Sequence, residues 1–104
     1  MKVAIDAGHG GWFDGKYQTD PKIGKLFHHP SFTFYEGVFN RQIAEALIRS
    51  LSGSGIEFVK TYHEYKDYSL PNRVKIANNS GSDFFLSIHS NAGGGKGFEV
   101  YTTN

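Results

Sequence analysis

The sequence contains no cysteine. That excludes both a disulfide framework and a thiolate metal site, so any metal ion has to be held by His, Asp or Glu. No hydrophobic run approaches the roughly 20 residues needed to cross a bilayer, so membrane insertion is not expected. Charge of one sign is also lacking: 11 Lys and Arg against 10 Asp and Glu leave a net +1. Without a basic stripe, nucleic acid is a poor candidate partner. Met1-Lys2 leads straight into Val3-Ala4-Ile5, too short an apolar run for the core of a signal peptide.

Aromatic residues, by contrast, are plentiful. Nine Phe, six Tyr and one Trp make up 15 % of 104 residues, enough large side chains to fill the thin core of one domain spanning 1–104.

Val3 to Ala7 reads as a buried strand closed by Gly8-His9-Gly10-Gly11. Residues 12 to 34 show neither helical nor strand periodicity and carry two of the three prolines. They read as one long loop, which in a small domain is usually functional. From Tyr35 the pattern becomes helical, with Phe39, Ile43, Ala44, Leu47, Ile48 and Leu51 forming an apolar stripe, and Gly53 and Gly55 stop it. A second strand follows in "IEFVKTY". Ser69 offers an N-cap to a short helix through Asn78, with Pro71 in its first turn. "DFFLSIH" is the third strand and "GFEVYTT" the fourth. This order argues an α/β domain with a largely parallel sheet flanked by helices. A sheet needs cover on both faces and only two helices are in view, so the domain reads as incomplete at its C-terminal end.

Three residues stand out for chemistry: His9 after the first strand, Glu36 at the start of the long helix, and His89 after the third strand. In open α/β sheets, ligands bind beyond the carboxyl ends of the strands. Parallel strands bring His9 and His89 to that edge, and the crossover starts its helix close by. Two imidazoles and one carboxylate are the ligand set of a catalytic zinc, with the fourth position left for water. The plainer reading is that each histidine merely closes a strand and that Glu36 complements a helix dipole. The glycines of "GHGG" also suit a phosphate-cradling loop, but the Lys-Ser/Thr of a P-loop and the spacing of a dinucleotide fingerprint are missing.

Asp6 suits either an acceptor for an imidazole N–H or a plain structural role. His28 and His29, adjacent beside Pro30, read as solvated loop residues. His63 lies after the second strand and is a remote candidate. Trp12, Phe13 and Tyr17 suit either a groove for sugar or peptide or a pin that ties the loop to the body.

The stretches "VAIDAGHGG", "YEGVFNRQIAEALIRSL", "SLPNRVKIAN" and "DFFLSIHSNA…GFEVY" resemble, in this order, the motifs of the zinc-dependent N-acetylmuramoyl-L-alanine amidases. These are peptidoglycan-cutting enzymes found as bacterial autolysins and phage endolysins. The resemblance spans nearly the whole chain. It implies a mixed, largely parallel sheet flanked by helices, in a three-layer phosphorylase/hydrolase-like arrangement. It also implies Zn²⁺ held by His9, Glu36 and His89, and hydrolysis of the amide between N-acetylmuramic acid and L-alanine. Gly10, Ser90 and Asn91 are then candidate substrate contacts, with Ser90 and Asn91 alternatively orienting the ligand beside them.

The family pattern further implies a catalytic glutamate on a strand downstream of "GFEVY", beyond Asn104. Neither Glu64 nor Glu99 occupies an equivalent place. The alternative function is therefore a zinc- and peptidoglycan-binding domain that does not cut. Peptidoglycan is the expected partner and the cell wall the expected place of action. The protein would reach it after removal of a leader or as a phage lysin released from the cytoplasm.

Overall fold

The structure, a computed structural model, describes residues 1–90 and 97–102. Its centre is a three-stranded parallel sheet of β1 (Lys2–Ala7), β6 (Glu57–Lys60) and β7 (Phe84–Ile88), in the order β6-β1-β7. Helix α1 (Glu36–Ser50) leads from the loops after β1 toward β6, and α2 (Leu70–Asn79) connects β6 to β7. The α/β organisation with parallel strands and flanking helices is therefore the one expected.

Alternation along β1 distributes the two faces of the sheet. Ile5 and Ala7 form the core with Ala44 of α1 and Tyr62, and Leu47, Ile48, Phe58 and Ile88 pack around them. Asp6 points the other way and meets Arg73 of α2 at 2.9 Å. The central strand thus ties one helix by apolar packing and the other by an ion pair.

Both ends of α2 follow sequence signals. Ser69 Oγ accepts from the Asn72 N–H at 3.2 Å, Pro71 stands in the first turn, and Gly81 follows the helix at φ 69°. In α1 the apolar stripe is buried only in part: Ala44 joins the core and Leu47 and Ile48 pack against it. Phe39 and Ile43 are 40 % and 39 % exposed. The buried residues of the helix are Glu36, Gly37, Asn40, Arg41 and Ala44, so its N-terminal half turns polar groups inward, toward the carboxyl edge of the sheet.

Two expectations need correction. Residues 12 to 34 are not one irregular loop. They hold the hairpin β2 (Trp12–Phe13) to β3 (Lys16–Tyr17) and most of a second, β4 (Leu26–His29) to β5 (Phe32–Tyr35). The first closes through Asp14 and Gly15, at φ 52° and 72°, the left-handed pair of a tight hairpin turn, which "DG" favours. The fourth strand is also not formed among the described residues. Phe98, Val100 and Tyr101 of that segment are 90 %, 69 % and 85 % exposed, and alternation becomes a strand only against a partner edge. No helix among the described residues is long and apolar enough to cross a membrane.

Candidate metal centre

The β1–β7 ladder runs to the end of both strands. Ala7 pairs with Ile88, and the Gly8 N–H donates to Ile88 O at 3.0 Å. The next residue on one strand is His9 and on the other His89, so neighbouring strands deliver both imidazoles to one edge. His9 has φ 65°, a left-handed conformation uncommon outside glycine. It is held there by Arg73, whose Nη1 donates to Ala7 O at 2.7 Å and whose Nη2 donates to His9 O at 3.0 Å.

Glu36 is the first residue of α1, and its N–H donates to Lys25 O at 3.0 Å, so the second hairpin anchors the start of the helix. Its Oε1 lies 3.5 Å from His9 Nε2 and 3.4 Å from His89 Nδ1. One ligand atom from each of the three residues can be chosen so that all lie within 4.8 Å of one another, the one such group among the described residues. The two rings stand edge to face, centroids 5.3 Å apart.

The local backbone is shaped to this convergence. A Cβ on Gly8 would meet the His89 ring at 2.3–2.8 Å, so the ring occupies the space that only glycine leaves. A Cβ on Gly37 would come within 1.8 Å of Gly10 O, which shows how closely the first turn of α1 rests on the "GHGG" loop.

Charge states suit cation binding. Burial lowers the His9 pKa, with Glu36 partly opposing, so the imidazole is neutral and able to donate a lone pair at pH 7. Burial would raise the Glu36 pKa. Hydrogen bonds involving His89, the Ser90 N–H and Asn40 outweigh it and hold the carboxyl below its usual range. Two imidazoles and one carboxylate leave a tetrahedral cation a fourth position. His89 is the most open of the three, its side chain 44 % exposed against 19 % for His9 and 9 % for Glu36. The donor set and the space around it therefore fit a divalent ion of the zinc type.

Other candidates fall outside the cluster. Asp6 accepts from Arg73 Nη1 at 2.9 Å, Thr61 Oγ1 at 2.8 Å and Ser87 Oγ at 2.8 Å. Its role is structural, and among the described residues no imidazole N–H reaches it. Gly10 is buried and its N–H donates to Thr19 Oγ1 at 2.9 Å. Ser90 is turned toward Glu36 and Asn40 rather than outward: its N–H donates to Glu36 Oε1 and its Oγ to Asn40 Oδ1, both at 3.1 Å. Asn91 lies outside the described residues.

His28 bonds Thr33 and His29 stacks on Phe32, both on the exposed β4. His63 Nδ1 accepts from the Tyr65 and Lys66 N–H groups, capping a turn. Tyr17 pins its hairpin, its hydroxyl donating to Lys25 O at 3.0 Å and accepting from the Gly37 N–H at 2.8 Å. Phe13 stacks on Tyr65 at 4.0 Å and Trp12 meets Tyr35 edge-on at 5.0 Å. The phosphate-loop reading fails on hydrogen bonding: the N–H groups of Gly8, Gly10 and Gly11 are spent on Ile88 O, Thr19 Oγ1 and Tyr65 O.

Two residues important to this site were not singled out from the sequence, Asn40 and Arg73. Asn40 follows Glu36 by one helical turn, so a buried polar residue in register with a candidate ligand was the available signal. Arg73 stands 67 positions from Asp6, and no local pattern announces such a pairing.

Known proteins resemble this chain over nearly its whole length. A family model described as N-acetylmuramoyl-L-alanine amidase matches residues 3–104. The sporulation-specific N-acetylmuramoyl-L-alanine amidase of Bacillus subtilis is 38 % identical over 102 residues, covering 97 % of this chain and 35 % of that protein. The N-acetylmuramoyl-L-alanine amidase CwlM of Bacillus licheniformis is 33 % identical over 102 residues, covering 97 % and 36 %. Among solved structures, the catalytic domain of the amidase CwlV from Bacillus (Paenibacillus) polymyxa superposes with a TM-score of 0.65 at 32 % identity, over 90 % of this chain and 47 % of that one. An N-acetylmuramoyl-L-alanine amidase from Clostridium difficile 630 gives 0.69 at 32 % identity, over 94 % and 47 %. The chain thus spans about a third of the curated relatives and about half of each solved chain. With its four motif blocks in order and the match running from Val3 to Asn104, the chain belongs to the N-acetylmuramoyl-L-alanine amidase family.

Proposed function

We propose that the protein binds one zinc ion through His9, Glu36 and His89 and uses it in hydrolysing the amide between N-acetylmuramic acid and L-alanine of peptidoglycan. The observation that carries this reading is the convergence of these three side chains, their ligand atoms within 4.8 Å, at the carboxyl edge of β1 and β7. A zinc ion bound there supplies Lewis-acid polarisation of a carbonyl and a water acidified toward a pKa of about 7. The residues of the chain hold the centre: Glu36 stays anionic and His9 neutral, Arg73 fixes the backbone of His9, and the exposed flank of His89 leaves a way in for substrate. Peptidoglycan is then the partner and the cell wall the place of action, with Asn91, beside a ligand, as a substrate contact.

A second reading, binding without cutting, is favoured by the state of the acids near the centre. Glu36 is engaged by two imidazoles, and Asp67, whose charge reaches His9, is held by Arg73 Nη2 at 3.1 Å. Neither is a free general base. Dye release from labelled cell walls, abolished by chelator and restored by zinc, is the expected result for the hydrolase. Zinc-dependent sedimentation with the walls and no release would establish the binding-only reading instead.

A further inference from the structure

Around the three proposed ligands, one side chain touches the chain segments that carry all of them. Asn40 is fully buried. Its Nδ2 donates to Gly8 O at 3.3 Å and to Glu36 Oε1 at 3.4 Å. Its Oδ1 accepts from Ser90 Oγ at 3.1 Å. Gly8 precedes His9, Glu36 lies one turn back along α1, and Ser90 follows His89. Ser90 closes the circuit, its N–H donating to Glu36 Oε1 at 3.1 Å.

We propose that Asn40 is the positioning residue of the cation site, using both ends of one amide to hold the His9 loop, the Glu36 carboxylate and the strand exit at His89 in binding geometry. The inference rests on these three residues being the ligands.

The chemistry asks for an amide. Two acceptors, a carbonyl and a carboxylate, face one end of the side chain and a hydroxyl donor faces the other. Asparagine supplies two N–H donors and an oxygen acceptor on one rigid plane. A hydroxyl has one proton for two acceptors. A carboxylate in that place would set an oxygen against Gly8 O and Glu36 Oε1, and would add a charge that attracts cations by itself. Leucine has nearly the same shape and no polar atom, so Asn40→Leu removes the positioning while filling the space. Groups that orient metal ligands typically contribute about 10–100-fold to metal affinity.

The test is Co²⁺ and Zn²⁺ titration of the parent chain, Asn40→Leu and Ser90→Ala, with the visible absorption of bound Co²⁺ as the spectroscopic readout. Circular dichroism and melting in excess chelator establish the folded state of each. Asn40→Leu is expected to fold and to bind both ions about 10–100-fold more weakly, with altered Co²⁺ bands. Ser90→Ala, which removes only the hydroxyl contact on a half-buried residue, is expected to lose about threefold or more. A folded Asn40→Leu with parental affinity and parental Co²⁺ spectrum overturns the proposal. If Asn40→Leu does not fold, Ser90→Ala decides: weakened binding sustains the proposal, and parental affinity and spectrum overturn it. A parent chain that binds neither ion would instead overturn the reading of His9, Glu36 and His89 as ligands.

Discussion

Asp6→Asn is expected to cost the fold about 3 kcal/mol at pH 7, a large share of the roughly 5–15 kcal/mol that holds a domain together. Asp6 and Arg73 are 2 % and 3 % exposed. Removing the carboxylate leaves a guanidinium in a site stripped of water, and breaking a buried pair from one side typically costs about 3–5 kcal/mol. The lower end applies because Asp67 Oδ1 remains 3.1 Å from Arg73 Nη2. The same arginine holds Ala7 O and His9 O, so the site loosens along with the fold.

The loss should also depend on pH. Burial alone would raise the Asp6 pKa, but the hydrogen bonds from Arg73, Thr61 and Ser87 and the charge of Arg73 bring it below its ordinary 3.8. A depressed carboxyl stabilises the folded state above its unfolded pKa and loses that contribution as pH falls through the folded one. Urea unfolding of parent and variant should therefore show a gap that is full at neutral pH and narrows below about pH 4. The double substitution Asp6→Asn/Arg73→Leu should recover part of the loss, since no unpaired charge stays behind. A loss under about 1 kcal/mol, or a gap that ignores pH, would contradict this assignment.

Gly37→Ala should act at the junction of fold and site. In an ordinary helix alanine is favoured over glycine by about 1 kcal/mol. Here the added carbon would meet Gly10 O at 1.8 Å, Gly10 C at 2.8 Å and Gly10 N at 2.9 Å. All three are backbone atoms, so no side chain can swing aside, and either α1 or the "GHGG" loop must retreat. Glu36 rides on the first and His9 on the second. The expected outcome is a loss of about 3 kcal/mol or more in unfolding free energy, with cation affinity falling alongside. A variant with the parent's melting temperature, or the higher one that helix propensity alone would give, would show that the close approach does not exist.

Much of this architecture was legible in the sequence because periodicity and turn chemistry act locally. β1, β6, β7 and α2 follow from apolar runs, a Ser69 cap and closing glycines. The region of residues 12 to 34 misled because its strands are two to four residues long, too short for a period to show, although "DG" marked the first turn. In α1 the element was evident, and so was its inward side at Ala44, Leu47 and Ile48, whereas the inward side of its first turns was not. Periodicity marks apolar residues, whereas this helix buries Glu36, Asn40 and Arg41 because they serve the loops at the sheet edge. Arg41 donates to the carbonyls of Gly37, His63 and Lys66, contacts no local rule foresees. The three candidate ligands, by contrast, followed from topology: strand exits in a parallel sheet share an edge, and a crossover helix begins there.

The central claim is that His9, Glu36 and His89 act together on one cation. Zinc titration against a competing chelator, on the parent chain and on His9→Ala, Glu36→Ala and His89→Ala, tests it most directly. The parent is expected to hold about one equivalent and each substitution to abolish tight binding. A parent that binds no zinc, or substituted chains that retain a full equivalent, would contradict it.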